Sequence, residues 1–555
     1  MADQRIYHSP YPMPNVPVHQ SISQFLVQSD PDDTHPDKVI LADFDNPSRE
    51  LTYSGLRRDA ARDAAMLQKA HRLGEGDVVC IYARNSVDWA SLAHAVLWAG
   101  GCFCGINPMA TSFELVHYLG VASPKIVAVD GSLVQNVLDA IGQLEFTPEV
   151  LVIDDALETT VHDRVVYPRD FDRQNTPPMA PFDLSARDNR NQPAGMCFSS
   201  GTSGKPKGVV FSHHNLMAQL LSLRATNPLL HNGHTREVFF PSFSHVYGIV
   251  SAVLLPAWVG SYAQAMRHYT YAGYLRRCAD MRATVLRLVP AVAARMVKDP
   301  GVVGQLDLRC VRAVMCSGAA LSEDVVAGLR GLLAEDAGVL NGYGMSEATV
   351  TLLRETRGDK GASVGRPAAG VSIRIVDDNG EDVEPGHDGE CWIRGPTAFM
   401  EYKGNPRETR EAKRDGWLRS GDVVRVDRDG FLYLTGRKKE LIKFKGHQIA
   451  PAELEAVLLL HPQVVDAGVC GVRDRQLDTE IAVGFVVVAA DVAAEKRGEV
   501  LEEVRAFVNG RVAAYKALRE RLFYVEAMPR NASGKIVRRH LVARATELRS
   551  RGRKL

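Results

Sequence analysis

The sequence predicts an α/β protein built on parallel sheets, giving way to short antiparallel strands. Three observations carry this. Compact apolar runs at 78–82, 125–129 and 150–153 alternate with helical patterns, as β–α–β units on a buried parallel sheet require. From Val364 onward the pattern changes to short strands at 371–376, 389–394 and 430–435 separated by Asp/Gly turns, which favours a small antiparallel barrel. A length of 555 residues exceeds what one core supports, so two or more domains are expected.

The elements follow in order. Residues 8–25 are Pro-rich and turn apolar at 22–27, predicting an extended arm over the first domain. Leu51-Thr52-Tyr53 leads into a helix over 56–67, whose apolar and Ala positions recur at helical spacing. Gly74-Glu75-Gly76-Asp77 is a turn before the strand 78–82, and a helix over 89–99 is stopped by Gly100-Gly101. The polar stretch 183–192 is a linker into two short strands, 194–198 and 209–211. Ser212 can cap a helix starting near Asn215. Further strands are expected at 285–290, 311–315, 464–472 and 481–488, and an amphipathic helix at 500–507.

Bulk properties exclude several classes of function. Lys+Arg and Asp+Glu both number 66, so no overall field draws the chain to nucleic acid or an anionic membrane. A hydrophobic share of 45% with 24% charged residues is ordinary for a globular enzyme. The nine cysteines include no C-x-x-C pair, and Cys102 and Cys104 are too close for a usual zinc site; the set favours reduced thiols inside a cell. Residues 1–20 lack the apolar run of a secretory signal, and no run reaches membrane-spanning length. A cytoplasmic or peroxisomal location is expected. The terminal Arg553-Lys554-Leu555 approaches the peroxisomal tripeptide but has Arg at its first position.

The stretch with most chemistry lies between the strands 194–198 and 209–211. It reads Phe198-Ser199-Ser200-Gly201-Thr202-Ser203-Gly204-Lys205-Pro206-Lys207-Gly208. Glycines let the backbone turn its N–H groups inward as an anion nest. Ser199, Ser200, Thr202 and Ser203 add hydroxyl donors, and Lys205 and Lys207 add charge. Such a loop suits a polyphosphate. It is not a nucleotide P-loop, because Ser199 holds the first glycine position and Pro206 follows the lysine where Ser or Thr is needed. The plainer alternative is a flexible surface loop.

This stretch closely resembles the phosphate-binding signature of the adenylate-forming superfamily, which includes acyl- and aryl-CoA ligases and luciferases. The likeness runs from about Leu51 to Leu541 and is nearest the 4-coumarate–CoA ligase branch. The resemblance implies a large N-terminal domain, 1–436, of parallel α/β sheets plus the small barrel, and a small mobile α+β C-terminal domain, 437–555. In Asn341-Gly342-Tyr343-Gly344-Met345-Ser346-Glu347 it implies that Tyr343 stacks on adenine between Gly342 and Gly344, Ser346 meets the α-phosphate and Glu347 helps hold Mg²⁺. One carboxylate with phosphate oxygens is a sensible Mg²⁺ environment. Asn341 stands where relatives often carry Gln. In Trp417-Leu418-Arg419-Ser420-Gly421-Asp422, a turn by resemblance, Asp422 would hold the ribose hydroxyls and Arg437 would reach the nucleotide. His245, within Phe239-Phe240-Pro241-Ser242-Phe243-Ser244-His245-Val246-Tyr247-Gly248, would face the substrate carboxylate. Tyr247, Ser251, Ala319 and Met345 would line the acyl pocket, and with Val350 they suggest a mainly apolar pocket without buried charge. Lys535, in Pro529-Arg530-Asn531-Ala532-Ser533-Gly534-Lys535, matches the catalytic lysine. Lys439 matches the inter-domain hinge, and Lys443, Lys445, Gly446 and Gln448 belong to the segment that meets the incoming thiol.

The implied reaction joins a carboxylic acid to coenzyme A through an acyl-adenylate, using ATP and Mg²⁺. An aryl acid of the hydroxycinnamate type or a medium-chain acid is expected. Amino-acid activation lacks its acidic residue before Ser242-Phe243-Ser244-His245. Loading of a separate carrier protein, a luciferase-like oxidation and an inactive scaffold are the remaining alternatives. Neither a nucleic-acid partner nor a membrane span is expected.

Overall fold

The computed structural model describes residues 5–153, 165–199, 206–317, 321, 323–352, 360, 363–438, 440–444, 447–474, 479–490, 492–512, 516–518, 521–530 and 535–550. Of the expected site residues, Ser200, Gly201, Thr202, Ser203, Gly204, Lys205, Ala319, Lys439, Lys445 and Gly446 lie outside these.

An eight-stranded sheet carries the first half. Its centre is the strand Val78–Tyr82, buried throughout, with parallel neighbours Cys102–Ile106 and Ile126–Asp130. Glu149–Ile153 and Val166–Tyr167 extend one side in parallel, and Pro193–Ser199 extends the other. The helices Tyr53–Lys69 and Val87–Trp98 pack together beside it. Thr52 and Ser86 cap them by accepting from the backbone N–H three residues on, which satisfies an otherwise orphaned donor. The strand Cys102–Ile106 and the helix Ser112–Ala122 were not legible as elements in the sequence.

A second, five-stranded sheet runs Val285–Leu288, Ala313–Ser317, Gly338–Met345, Ala348–Leu352, Arg366–Pro367, the first three in parallel. A four-stranded sheet of Arg236–Phe239, Tyr262–Ala265, Val39–Asp43 and Glu50–Thr52 lies beside them. The antiparallel region expected after Val364 is a six-stranded sheet containing Ser372–Val376, Gly389–Arg394, Trp417–Val426 and Leu432–Arg437. Two expectations are corrected. The N-terminal arm does not merely wrap: Tyr7–His8 pairs with Ser372–Val376, and Ile22–Gln28 is a helix closed by a capping box of Ser21 and Gln24. Residues 417–422 are strand rather than turn, because strands on both sides pair with them.

The last part has its own apolar cores, around Val469, Val486 and Val504 and around Phe485, Leu541 and Ala545. Val464–Asp474 and Thr479–Val488 are antiparallel, Leu522–Tyr524 joins in parallel, and the helices Pro451–Leu459, Arg497–Asn509 and Arg538–Ser550 complete an α+β unit.

Candidate active site

Open α/β sheets place ligands outside the carboxyl ends of their strands. Here the ends of Pro193–Ser199, Val285–Leu288, Ala313–Ser317 and Gly338–Met345 converge on one cleft of about 2650 Å³. Its wall includes Ser199, His245, Tyr247, Ser251, Gly342, Tyr343, Gly344, Met345, Ser346, Asp422, Arg437 and Lys535. Residues spread over more than 300 positions of sequence thus meet in one place.

The phosphate-loop candidate closes a hairpin. Pro193–Ser199 and Lys207–Ser212 are antiparallel, with Ser199 opposite Lys207 and Gly208 opposite Phe198. His117, on the helix Ser112–Ala122, anchors the exit through Nε2 and the Pro206 carbonyl at 2.7 Å. Lys207 has partners of its own beside the loop. It is ion-paired to Glu408 and lies 4.7 Å from the centroid of the Tyr402 ring, off the cleft wall. The partner carboxylate offsets its charge there.

Asp422, 3% exposed, is fully oriented. Its Oδ2 accepts from the Tyr343 hydroxyl at 2.7 Å, and its Oδ1 meets Arg437 Nε at 2.9 Å. Each carboxylate oxygen retains lone-pair capacity for a further donor. Glu347 is buried in the turn after Gly338–Met345, and its Oε1 accepts from Tyr402 at 2.8 Å. Tyr402 pairs with Val209 on the phosphate-loop hairpin, so Glu347 and that hairpin are held together. Among the described residues no group of three or more His, Cys, Asp or Glu forms a metal cage. A single carboxylate fits Mg²⁺ bound chiefly through phosphate oxygens and water.

Lys535 completes the cleft from the C-terminal unit. Arg530, just before it, is held by Asp466 (2.6 Å), and Arg530 bridges Ile536 while the Val537 N–H donates to Pro529 O at 2.8 Å. Arg538, just after it, is clamped by Glu440 (2.8 Å) and Glu455 (3.1 Å). Lys298, at the end of the helix Pro290–Lys298, donates to the carbonyls of His461 and Val464 and fastens the unit to the first half. Burial, with Arg437 nearby, pulls the Lys535 ammonium below the usual lysine range, although Asp422 and Glu347 act the other way. Lys443 and Gln448 lie opposite each other in the two-stranded pair Ile442–Phe444 and His447–Ile449.

His245 is placed by close backbone contact. A Cβ on Gly105 would stand 2.6 Å from Ser244 Cα, and one on Gly248 would stand 2.2 Å from Ser242 O. Glycine is therefore required on both sides of the turn 242–245. Asn85 staples the same turn, accepting from the Phe243 N–H at 2.8 Å and donating to Pro241 O at 2.9 Å. After Gly248 the chain runs as a π-helix, Ile249–Leu254, a form common at functional sites. Burial, with Lys535 nearby, pushes His245 down to about 4, so its ring is neutral; its Nε2 has no hydrogen-bond partner among the described residues.

The expected apolar pocket without buried charge is corrected. Arg287 stands on the cleft wall at 1% exposure and is paired at 2.5 Å with Glu237, 2% exposed. The strand expected at 285–290 ends at Leu288, and the arginine between Leu286 and Leu288 is the sequence's sign of the buried charge. Tyr402, Glu408 and Asn85 were likewise missed, because their partners are distant in sequence.

Comparisons agree with this geometry. The AMP-binding enzyme family matches residues 30–403, and the AMP-binding enzyme C-terminal domain matches residues 453–535. A 4-coumarate–CoA ligase-like 9 of Oryza sativa subsp. japonica is 32% identical over 97% of this chain and 95% of its own. The peroxisomal OPC-8:0-CoA ligase 1 of Arabidopsis thaliana is 29% identical over 97% of this chain and 95% of its own. The fold superposes on a benzoate CoA ligase from Burkholderia xenovorans LB400 with a TM-score of 0.81, at 24% identity over 94% of this chain and 99% of that one. With the sheets, the cleft and both family matches in agreement over nearly its full length, the chain belongs to the AMP-binding enzymes, as an AMP-forming CoA ligase.

Proposed function

We propose that the protein activates an aryl or medium-chain carboxylic acid with ATP and transfers the acyl group to coenzyme A. The observation that carries this reading is Lys535 buried within the electrostatic reach of Asp422, Glu347, Arg437 and His245. In the first half-reaction the acid's carboxylate attacks the α-phosphate and pyrophosphate leaves. Two anions must meet, so charge stabilisation and in-line positioning do most of the work. Lys535 bridges carboxylate and α-phosphate, and neutral His245 donates to the carboxylate from the other side. Tyr343 lies along adenine, Asp422 accepts from the ribose hydroxyls, and Arg437 orients Asp422. Ser346 meets the α-phosphate. Ser199 and the loop 200–205, with Lys205, hold the β- and γ-phosphates. Glu347 holds Mg²⁺, which supplies charge neutralisation of the phosphates when bound.

In the second half-reaction the thiol of coenzyme A attacks the acyl carbonyl and AMP leaves. Lys535 fills the face by which a long thiol arm would enter, so the units 1–436 and 437–555 reorient about Lys439. Lys443, Lys445, Gly446 and Gln448 then face the thiol. Lys439→Pro, which fixes φ, is expected to leave acyl-adenylate formation intact and to slow thioester formation; a variant with both steps intact would refute the rotation.

The test of the whole reading is pyrophosphate release with ATP, Mg²⁺ and hydroxycinnamates, benzoates, phenylacetates and C4–C16 fatty acids, with and without coenzyme A. Turnover that coenzyme A accelerates with one acid class is the expected result. Release that coenzyme A never accelerates would overturn the assignment of the acceptor.

A further inference from the structure

Arg287 is the third residue of the strand Val285–Leu288 and is almost wholly buried on the cleft wall. Its Nε donates to Glu237 Oε2 at 2.5 Å and its Nη1 to the Tyr247 hydroxyl at 3.2 Å. Its Nη2 has no hydrogen-bond partner among the described residues. Native interiors leave few polar groups in that condition. Glu237 already offsets the guanidinium charge, so the missing partner is an acceptor rather than a counter-ion.

Two neighbours complete the pattern. Tyr247, accepting from Arg287, keeps its own proton to donate. His231, 1% exposed on the same cleft, has no partner at either ring nitrogen among the described residues. Burial, with Arg287 and Arg224 nearby, pushes it down to about 3, so it is neutral and offers one donor and one acceptor. In the proposed reaction the carboxylate end of the acid lies at His245 and Lys535. His245 caps the short helix Val246–Gly248, whose second residue, Tyr247, accepts from Arg287.

We propose that Arg287 is a specificity-determining residue: with Tyr247 and His231 it selects acids bearing a neutral hydroxyl or carbonyl oxygen at the end remote from the carboxylate. This rests on the acyl-CoA ligase reading above and deepens it. A hydrocarbon tail would leave Arg287 Nη2, already buried, without an acceptor, and a second carboxylate would set an uncompensated anion beside Glu237. Pockets built to hydrogen-bond a substrate discriminate steeply against analogues lacking the group, whereas apolar pockets discriminate weakly.

The experiment compares kcat/KM of the full-length protein, with Mg²⁺-ATP and coenzyme A, for matched acids: cinnamate against 4-hydroxycinnamate, and octanoate against 8-hydroxyoctanoate and octanedioate. We expect the hydroxylated member of at least one pair to be favoured by about 10²-fold or more, with octanedioate below 8-hydroxyoctanoate. The double variant Arg287→Met with Glu237→Leu removes both buried charges together and collapses that ratio at least tenfold. Should it not fold, His231→Leu, which removes no charge, must lower the same ratio severalfold. Equal use of both members of each pair, preference for octanedioate, or a ratio unchanged in the variants overturns the inference while leaving the ligase reading standing. No pyrophosphate from any acid overturns both.

Discussion

At the scale of single residues, the cleft is built from charges whose environments are set by burial. Lys535 combines a low-dielectric site with Arg437 close by. In the proposed reaction, removing it takes away the ammonium that bridges carboxylate and α-phosphate. Lys535→Ala is expected to slow acyl-adenylate formation by about 10²–10³-fold or more. Thioester formation from preformed adenylate should remain largely intact, as single-turnover assays of the two steps would read. The ammonium must be protonated to act. Because its pKa is lowered, adenylation should fall on the alkaline side at a pH below the ordinary lysine value, and Lys535→Arg should move that limb upward. A pH–rate profile flat through that range would contradict the placement.

At the scale of elements, the turn 242–245 shows how backbone contact sets a side chain. Gly105 lies in the strand Cys102–Ile106, and its Cα face touches Ser244 directly. Gly105→Ala forces the turn to shift, because the obstructing atoms are backbone and not a flexible tip. Overpacking of this kind costs about 1–3 kcal/mol. The expected outcome is a Tm lower by a few degrees together with a loss of kcat/KM of tenfold or more, since His245 moves with Ser244. A variant with lowered Tm and unchanged kcat/KM would separate the turn from the chemistry. The hairpin of Pro193–Ser199 and Lys207–Ser212 is held in a comparable way, through His117 at Pro206 and Tyr402 beside Val209.

At the scale of the whole molecule, burial of neutral histidines predicts acid sensitivity. His94 and His245 are pushed down to about 4, and His213 and His231 to about 3, all chiefly by burial. Each binds a proton in the unfolded chain near 6.5 but not in the folded one. Their contribution is therefore fully present above that pH and is lost as pH falls toward the folded values, by roughly 2 kcal/mol apiece at pH 5. Asp43, raised to about 6 by burial, works in the opposite sense and offsets part of this. Thermal unfolding from pH 8 to 5 should show a steep decline in Tm. His94→Gln, which keeps a donor for the Val253 carbonyl, should make the decline shallower. A Tm independent of pH over that window would refute the account.

Short windows of the chain settle the local matters. The alternation of strand and helix, the switch to antiparallel strands after Val364, the cap at Ser212 and the glycine- and hydroxyl-rich run from Ser199 are properties of short windows, where periodicity and backbone preference suffice. The sequence also marked Lys535, Glu347, Asp422 and His245, because each sits in a motif that is contiguous in the chain. The tertiary structure alone decided which groups meet. Nothing near Lys207 in sequence announces Glu408, and nothing near Tyr247 announces Arg287 and Glu237. Those contacts arise where strand ends from separate sheets converge. A charge inside an apolar strand becomes, once buried against its partner, part of the wall of the cleft.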